Sequence, residues 1–230
     1  MIVTYIYRFW HTFFNPSSLT DIIEKEEEHH AIQGYKKTVS WIFIWAIVLF
    51  AARDFWGMYT NELTVLAGQG QLQEYIAARY ISLIGAIIFG MLFFVFHYFF
   101  ITYMISIFTD LPFKWVKKIQ VYVLFTLLAF KTIEFLLFLT IGFTPLFSVF
   151  SATAIVAQWT SNLWILFFVN QLSFVTFLTL IIQYTFLEHW DYEHRKATLI
   201  KLIFIHLLFA AITATISILP IMDWIGKGFN

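Results

Sequence analysis

There is no cysteine in these 230 residues, which excludes disulfides, thiolate metal centres, iron–sulfur clusters and cysteine nucleophiles. Charge is nearly as scarce: Asp, Glu, Lys and Arg make up 12% of the chain, against about a quarter in an ordinary soluble domain. Lys plus Arg number 14 and Asp plus Glu number 14. So balanced a chain carries no basic surplus to hold nucleic acid and no acidic surplus for a cationic partner. Also missing are the phosphate-cradling GxxxxGK[ST], the dinucleotide GxGxxG, the GxSxG nucleophile turn and the zinc-binding HExxH. The sequence therefore predicts a non-enzyme with no cofactor and no metal site. Two runs resemble metal-ligand chemistry, residues 26–30 (Glu-Glu-Glu-His-His) and residues 188–194 around Glu188, His189 and His194. Neither has zinc spacing, and a solvated charged face is the expected reading.

What is present in excess is apolar surface. Hydrophobic residues are 60% of the chain and the mean hydropathy is +0.78, more than a soluble core of this length can hide. Apolar runs recur at the length of about 18 or more residues that a spanning helix needs. Lipid leaves helices as the default, because open sheet edges cannot be satisfied there. The expected fold is all-α, a polytopic membrane bundle of about five transmembrane helices over residues 38–230, with spans near 38–59, 79–108, 119–141, 161–187 and 199–219. Residues 1–37 precede it as a cytoplasmic segment. Its first 14 residues are too short to span and carry Arg8 and His11, which predicts an interfacial helix rather than a cleaved signal peptide. After Asn15-Pro16-Ser17-Ser18, a helix runs from Asp21 and Glu24 to Lys36 and Lys37, acid first and base last, as the helix dipole favours.

Orientation follows from the cations. Arg8, Lys25, Lys36, Lys37, Lys114, Lys117, Lys118, Arg195, Lys196 and Lys201 fall on one side; only Arg53, Arg79 and Lys227 fall on the other. This places the N-terminus in the cytoplasm and the C-terminus outside. It also requires an even number of spans between the basic clusters at residues 114–118 and 195–201, which flank a stretch from 135 to 187 where no residue is charged. Trp41, Trp56, Trp115, Trp159, Trp190 and Trp224 fall at the proposed interfaces, as an aromatic belt would. Residues 142–160 are open to three readings: external loop, interfacial helix or re-entrant piece.

Within the spans, Lys131 and Glu134 are the informative anomaly. Three residues apart, they share a helix face and are placed to pair directly. Charges at that depth are expensive unless they face the bundle interior or a wet cavity. Either they lock helix packing as a neutralised pair, or they form a relay or a polar socket for a substrate. His97 and His206, in the second and fifth spans, could titrate near neutral pH or simply hydrogen-bond across helices. Asn170 and Gln171 in the fourth span serve equally as interhelical glue or as cavity lining. Ser82, Ala86 and Gly90 recur every fourth residue as a small-residue ridge that lets another helix approach closely.

A short N-terminal segment with Phe14-Asn15-Pro16-Ser17, an acidic amphipathic stretch up to Lys37, a first span, a long outer connection and four further spans together resemble the Yip family of five-helix membrane proteins. The resemblance covers nearly the whole chain. It is similar to the bacterial Yip-domain type, which includes an accessory partner of a MacB-like ABC exporter implicated in protection against a toxic peptide. What the resemblance implies is a non-enzymatic scaffold or transporter accessory protein in the bacterial cytoplasmic membrane, partnered with lipid and with transporter subunits or copies of itself. The alternative that the residues themselves raise is a small transporter or channel subunit with a polar site at Lys131 and Glu134.

Overall fold

In the computed structural model, which describes residues 5–19, 32–58, 60–188 and 194–219, the apolar runs become long helices, with longer connections over 56–71 and 142–162. A six-residue helix α1 (Phe9–Phe14) is followed by α2 (Tyr35–Phe55), the 38-residue α3 (Leu72–Thr109) and α4 (Phe113–Ile141). Then come α5 (Leu163–Gln171), α6 (Phe174–Leu187) and α7 (Arg195–Ser217). Four of these, α2, α3, α4 and α7, are each long and apolar enough to cross a membrane, and α5 with α6, bent by 41° at their break, makes a fifth if the pair crosses as one. The protein is a helical membrane bundle.

The boundaries have local causes. Between α3 and α4 the chain turns through Asp110 in the left-handed region and Pro112, whose ring suits the first turn of a helix. Gly142, at φ 81°, ends α4 with its amide on the Phe138 carbonyl, the backbone state that favours glycine at a helix C-terminus. The span expected over 161–187 is interrupted between α5 and α6. Ser173 accepts a hydrogen bond from the Thr176 amide at 3.3 Å, a new N-cap in the middle of an apolar run, while Thr176 Oγ1 donates to the Gln171 carbonyl at 2.5 Å. These side chains offer the backbone an alternative to the helical ladder and end it locally.

Helix α4 is the axis of the bundle. From Val116 to Leu128 almost every side chain is buried, as in a helix covered on all sides. On one flank Ile42, Ala46 and Leu49 of α2 and Phe94 of α3 pack with Val121, Leu124 and Leu128. On the other, Ile182 and Phe186 of α6 and Leu202 and Ile205 of α7 pack with Ile119, Tyr122 and Val123. The outer surface is rich in exposed Ile, Leu and Phe, including Ile81, Ile84, Ile88 and Leu92 of α3 and Ile200 and Phe204 of α7, as a lipid-facing surface requires. Trp41, Trp56 and Trp159 are exposed as well; Trp190 and Trp224 lie outside the described residues.

The N-terminal segment differs from the interfacial helix expected over residues 1–14. Tyr5–Ile6 (β1) is extended and pairs in parallel with Ile32–Gln33 (β2), and only Phe9–Phe14 is helical. That helix docks on the bundle: Phe9 stacks on Tyr122 with ring centroids 4.9 Å apart, and Tyr7 donates to the Tyr122 hydroxyl at 2.5 Å. Trp10 and Phe14 stay largely exposed. The reason is aromatic density: Phe9, Trp10 and Phe13 all have ring contacts with Phe125, and such contacts add to simple burial. Most of the acidic amphipathic stretch expected before Lys37 lies outside the described residues.

Candidate functional site

The small-residue ridge sets how closely α3 and α2 approach. A Cβ built on Gly90 would meet the Ala46 carbonyl oxygen and the Ile47 Cα at 3.1 Å. One and two turns earlier, Ala86 and Ser82 line a smaller void of about 430 Å³ with Arg53, Asp54 and Lys131. Here the outer end of α2 carries a polar network. Ser82 donates to Asp54 Oδ2. Arg79 donates to Thr60 Oγ1 at 2.5 Å and to the Asp54 and Phe55 carbonyls at 2.8 and 2.9 Å, satisfying carbonyls that the end of α2 leaves open. Arg53 and Asp54 are buried here, Arg53 at 3% exposure.

Behind that network lies a cavity of about 560 Å³ enclosed by α3, α4, α5, α6, α7 and the chain after Gly142. Its volume is typical of small-molecule sites, about 300–1,000 Å³. Lys131, Glu134, His97, His206, Asn170 and Gln171 all lie on its wall. Six residues spread over more than a hundred positions of sequence thus face one space. Met58 and Lys131 belong to the walls of both voids, so the Lys131 side chain stands at the partition between them.

Lys131 and Glu134 do not form the direct pair that their spacing allows. Glu134 turns to other partners: Oε2 lies 3.9 Å from Arg53 Nη2, and Oε1 accepts from Ser148 Oγ at 2.7 Å. Lys131 makes no ion pair or hydrogen bond among the described residues. Its ammonium lies over the Phe93 and Phe50 rings, 5.6 and 6.0 Å from their centroids, a cation–π position. The guanidinium from α2 and the hydroxyl from the chain after α4 therefore take the carboxylate that Lys131 would otherwise hold.

His206 Nε2 meets Gln183 Oε1 at 2.9 Å across α7 and α6. His97 packs on Phe93, with ring centroids 4.6 Å apart, and sits within a π-helical turn, Phe96–Ile101. Such a wide turn inside an α-helix is frequent at functional sites. Asn170, in the last turn of α5, accepts from the Ser148 amide at 2.9 Å. Ser148 therefore ties Glu134 to the broken span. Thr144 Oγ1 is buried at the cavity wall without a protein partner, the kind of atom that a water or ligand completes.

The stretch after α4 folds back against the bundle. From Gly142 it carries Ser148 inward to Glu134 and Asn170, its Phe150 carbonyl accepts from the Phe174 amide at 2.9 Å, and a single helical turn, Thr153–Val156, follows. Irregular backbone at this depth is tolerated where it lines a cavity. Among the described residues no group of three or more His, Asp or Glu side chains is placed to hold a metal ion. Residues 26–30 and 189–193 of the two acidic–histidine runs lie outside the described residues. No protein-family model, curated protein or solved structure matches this chain. The Yip resemblance therefore rests on helix layout and the Asn-Pro-Ser motif.

Sequence reading missed Arg53 and Ser148 as members of the site. For Arg53 a signal existed: an adjacent Arg-Asp pair closing an apolar helix, with an unmatched acid two spans later. Ser148 had none, because an uncharged serine in an apolar loop looks like any other.

Proposed function

We propose that the protein is a small, non-enzymatic membrane carrier that binds a solute in the cavity beside α4. The observation that carries this reading is the convergence of Lys131, Glu134, His97, His206, Asn170 and Gln171 on one void of about 560 Å³. Two further features support it. The span formed by α5 and α6 is interrupted at the cavity, and discontinuous helices near the bilayer midplane are how many carriers present polar backbone to a substrate. The partition at Lys131 separates the main cavity from a second void on the far side of the same residue, an arrangement suited to passing a solute from one to the other. The charge asymmetry supports placing the N-terminus in the cytoplasm.

The test pairs Lys131→Met with Glu134→Gln. Methionine keeps most of the lysine stem, and glutamine keeps an acceptor for Ser148. In cells lacking the native gene, the double variant is expected to insert normally yet fail to restore whatever growth or resistance phenotype the native protein restores. Full restoration at normal membrane abundance contradicts the carrier reading. The accessory role implied by the Yip resemblance would use the outer surface of the bundle, so a protein that needs only its partners would tolerate this double change.

A further inference from the structure

The charge ledger around the cavity is unequal. Among the described residues Arg53, Arg79 and Lys131 are three cations, and Asp54 and Glu134 are the two anions of the same network. Both carboxylates are engaged, Glu134 by Arg53 and Ser148 and Asp54 by Ser82. The surplus is one positive charge, and of the three cations only Lys131 faces the main cavity. A cationic solute would have to take Glu134 from Arg53 while lying beside the Lys131 ammonium. Around this charge the wall is mostly hydrocarbon and aromatic, with Leu127, Phe130, Phe138, Ile205 and Phe209 among its members. Toward the outer end the wall is continued by Phe143, Leu146 and Val149, all exposed, so the void opens through apolar side chains rather than through a charged funnel. One ammonium with no carboxylate partner among the described residues, in a largely apolar chamber, is complementary to one negative head on an apolar tail.

We propose that the cavity takes a monoanionic amphiphile, its head at Lys131 and its tail along Leu127, Phe130 and Phe209. This rests on the carrier reading and names its ligand class. The Thr144 hydroxyl, buried and without a partner, supplies a donor for a second contact to the ligand or to a water beside it.

The experiment uses the full chain in lipid nanodiscs and three photoactivatable probes of equal tail length bearing a diazirine: dodecanoate, dodecylammonium and dodecanol. Covalent adducts are mapped by mass spectrometry. Dodecanoate is expected to label peptides of α4 and α7 facing the cavity, competed by unlabelled dodecanoate, with about tenfold or more advantage over the other two, the scale of a charge-assisted contact. Lys131→Gln is expected to remove that advantage while leaving dodecanol labelling in place, which also shows that the variant keeps its cavity. Equal labelling by all three, or a preference for dodecylammonium, overturns the anion assignment and leaves the carrier reading standing. Cavity labelling by none of the three in natively folded protein overturns both.

Discussion

Arg53, Glu134 and Ser148 come from three parts of the chain, and their contacts explain why Glu134 is worth its burial. Glu134→Leu leaves Ser148 Oγ and the Arg53 guanidinium without that carboxylate. The expected loss is about 2–3 kcal/mol, the scale of hydrogen bonds to a charged group. Glu134→Gln is expected to cost less, because an acceptor remains. Thermal melting of both variants in one mild detergent checks the order; a leucine variant as stable as the native protein contradicts this role. A smaller effect is expected at Gln183→Leu, which removes the partner of His206 Nε2. Interhelical bonds of this kind contribute about 0.6 kcal/mol on average in membranes. At this scale the sequence was legible where a charge or an imidazole interrupts an apolar run, since position alone makes such a residue conspicuous. It was illegible where partner choice decides. The i to i+3 spacing of Lys131 and Glu134 permits pairing, but a guanidinium arriving from α2 takes the carboxylate instead.

Two elements depend on one small side chain each. At Gly90 the α2 backbone lies 3.1 Å from where a Cβ would stand, so Gly90→Leu must push α2 and α3 apart. Overpacking of this kind costs about 1–3 kcal/mol, and the change is expected to lower the melting temperature while Gly85→Leu, with nothing within 4 Å of its built Cβ, leaves it nearly unchanged. Equal effects at the two glycines contradict the close approach. At the α5–α6 break, Ser173→Ala removes the cap on α6, worth about 1 kcal/mol. The same variant is expected to weaken the phenotype used to test the carrier, because the break shapes the cavity wall; a loss of stability with full activity separates the cap from function. The small-residue ridge was readable from its four-residue period. The broken span was not, because Asn170-Gln171-Leu172-Ser173 offers a cap whose use depends on the chain after Gly142 packing beside it.

At the scale of the whole molecule, hydropathy and cation counting were enough for the bundle, since lipid allows few alternatives. Cation counting also requires an even number of crossings between the basic clusters at residues 114–118 and 195–201, and α4 and the broken α5–α6 pair are the long apolar helical stretches found between them. Neither reveals that one chamber gathers residues from five helices, because that depends on which faces of α3, α4, α6 and α7 meet. Docking of the N-terminal segment on Tyr122 was equally hidden, being a long-range aromatic contact with no periodic signature. The absence of cysteine now becomes an advantage, since any introduced thiol is the only one in the chain. The central claim is that water and solutes reach the cavity wall within the membrane. The direct measurement is therefore labelling of single-cysteine variants in native membranes by a charged, membrane-impermeant thiol reagent applied from both sides, which requires hydrated thiolate. Leu127→Cys and Thr213→Cys, on the cavity wall, are predicted to react, whereas Ile133→Cys and Leu136→Cys, on the outward face of the same α4, are predicted to stay unlabelled. Labelling of the outward pair alone, or of no position until the membrane is dissolved, would contradict the account.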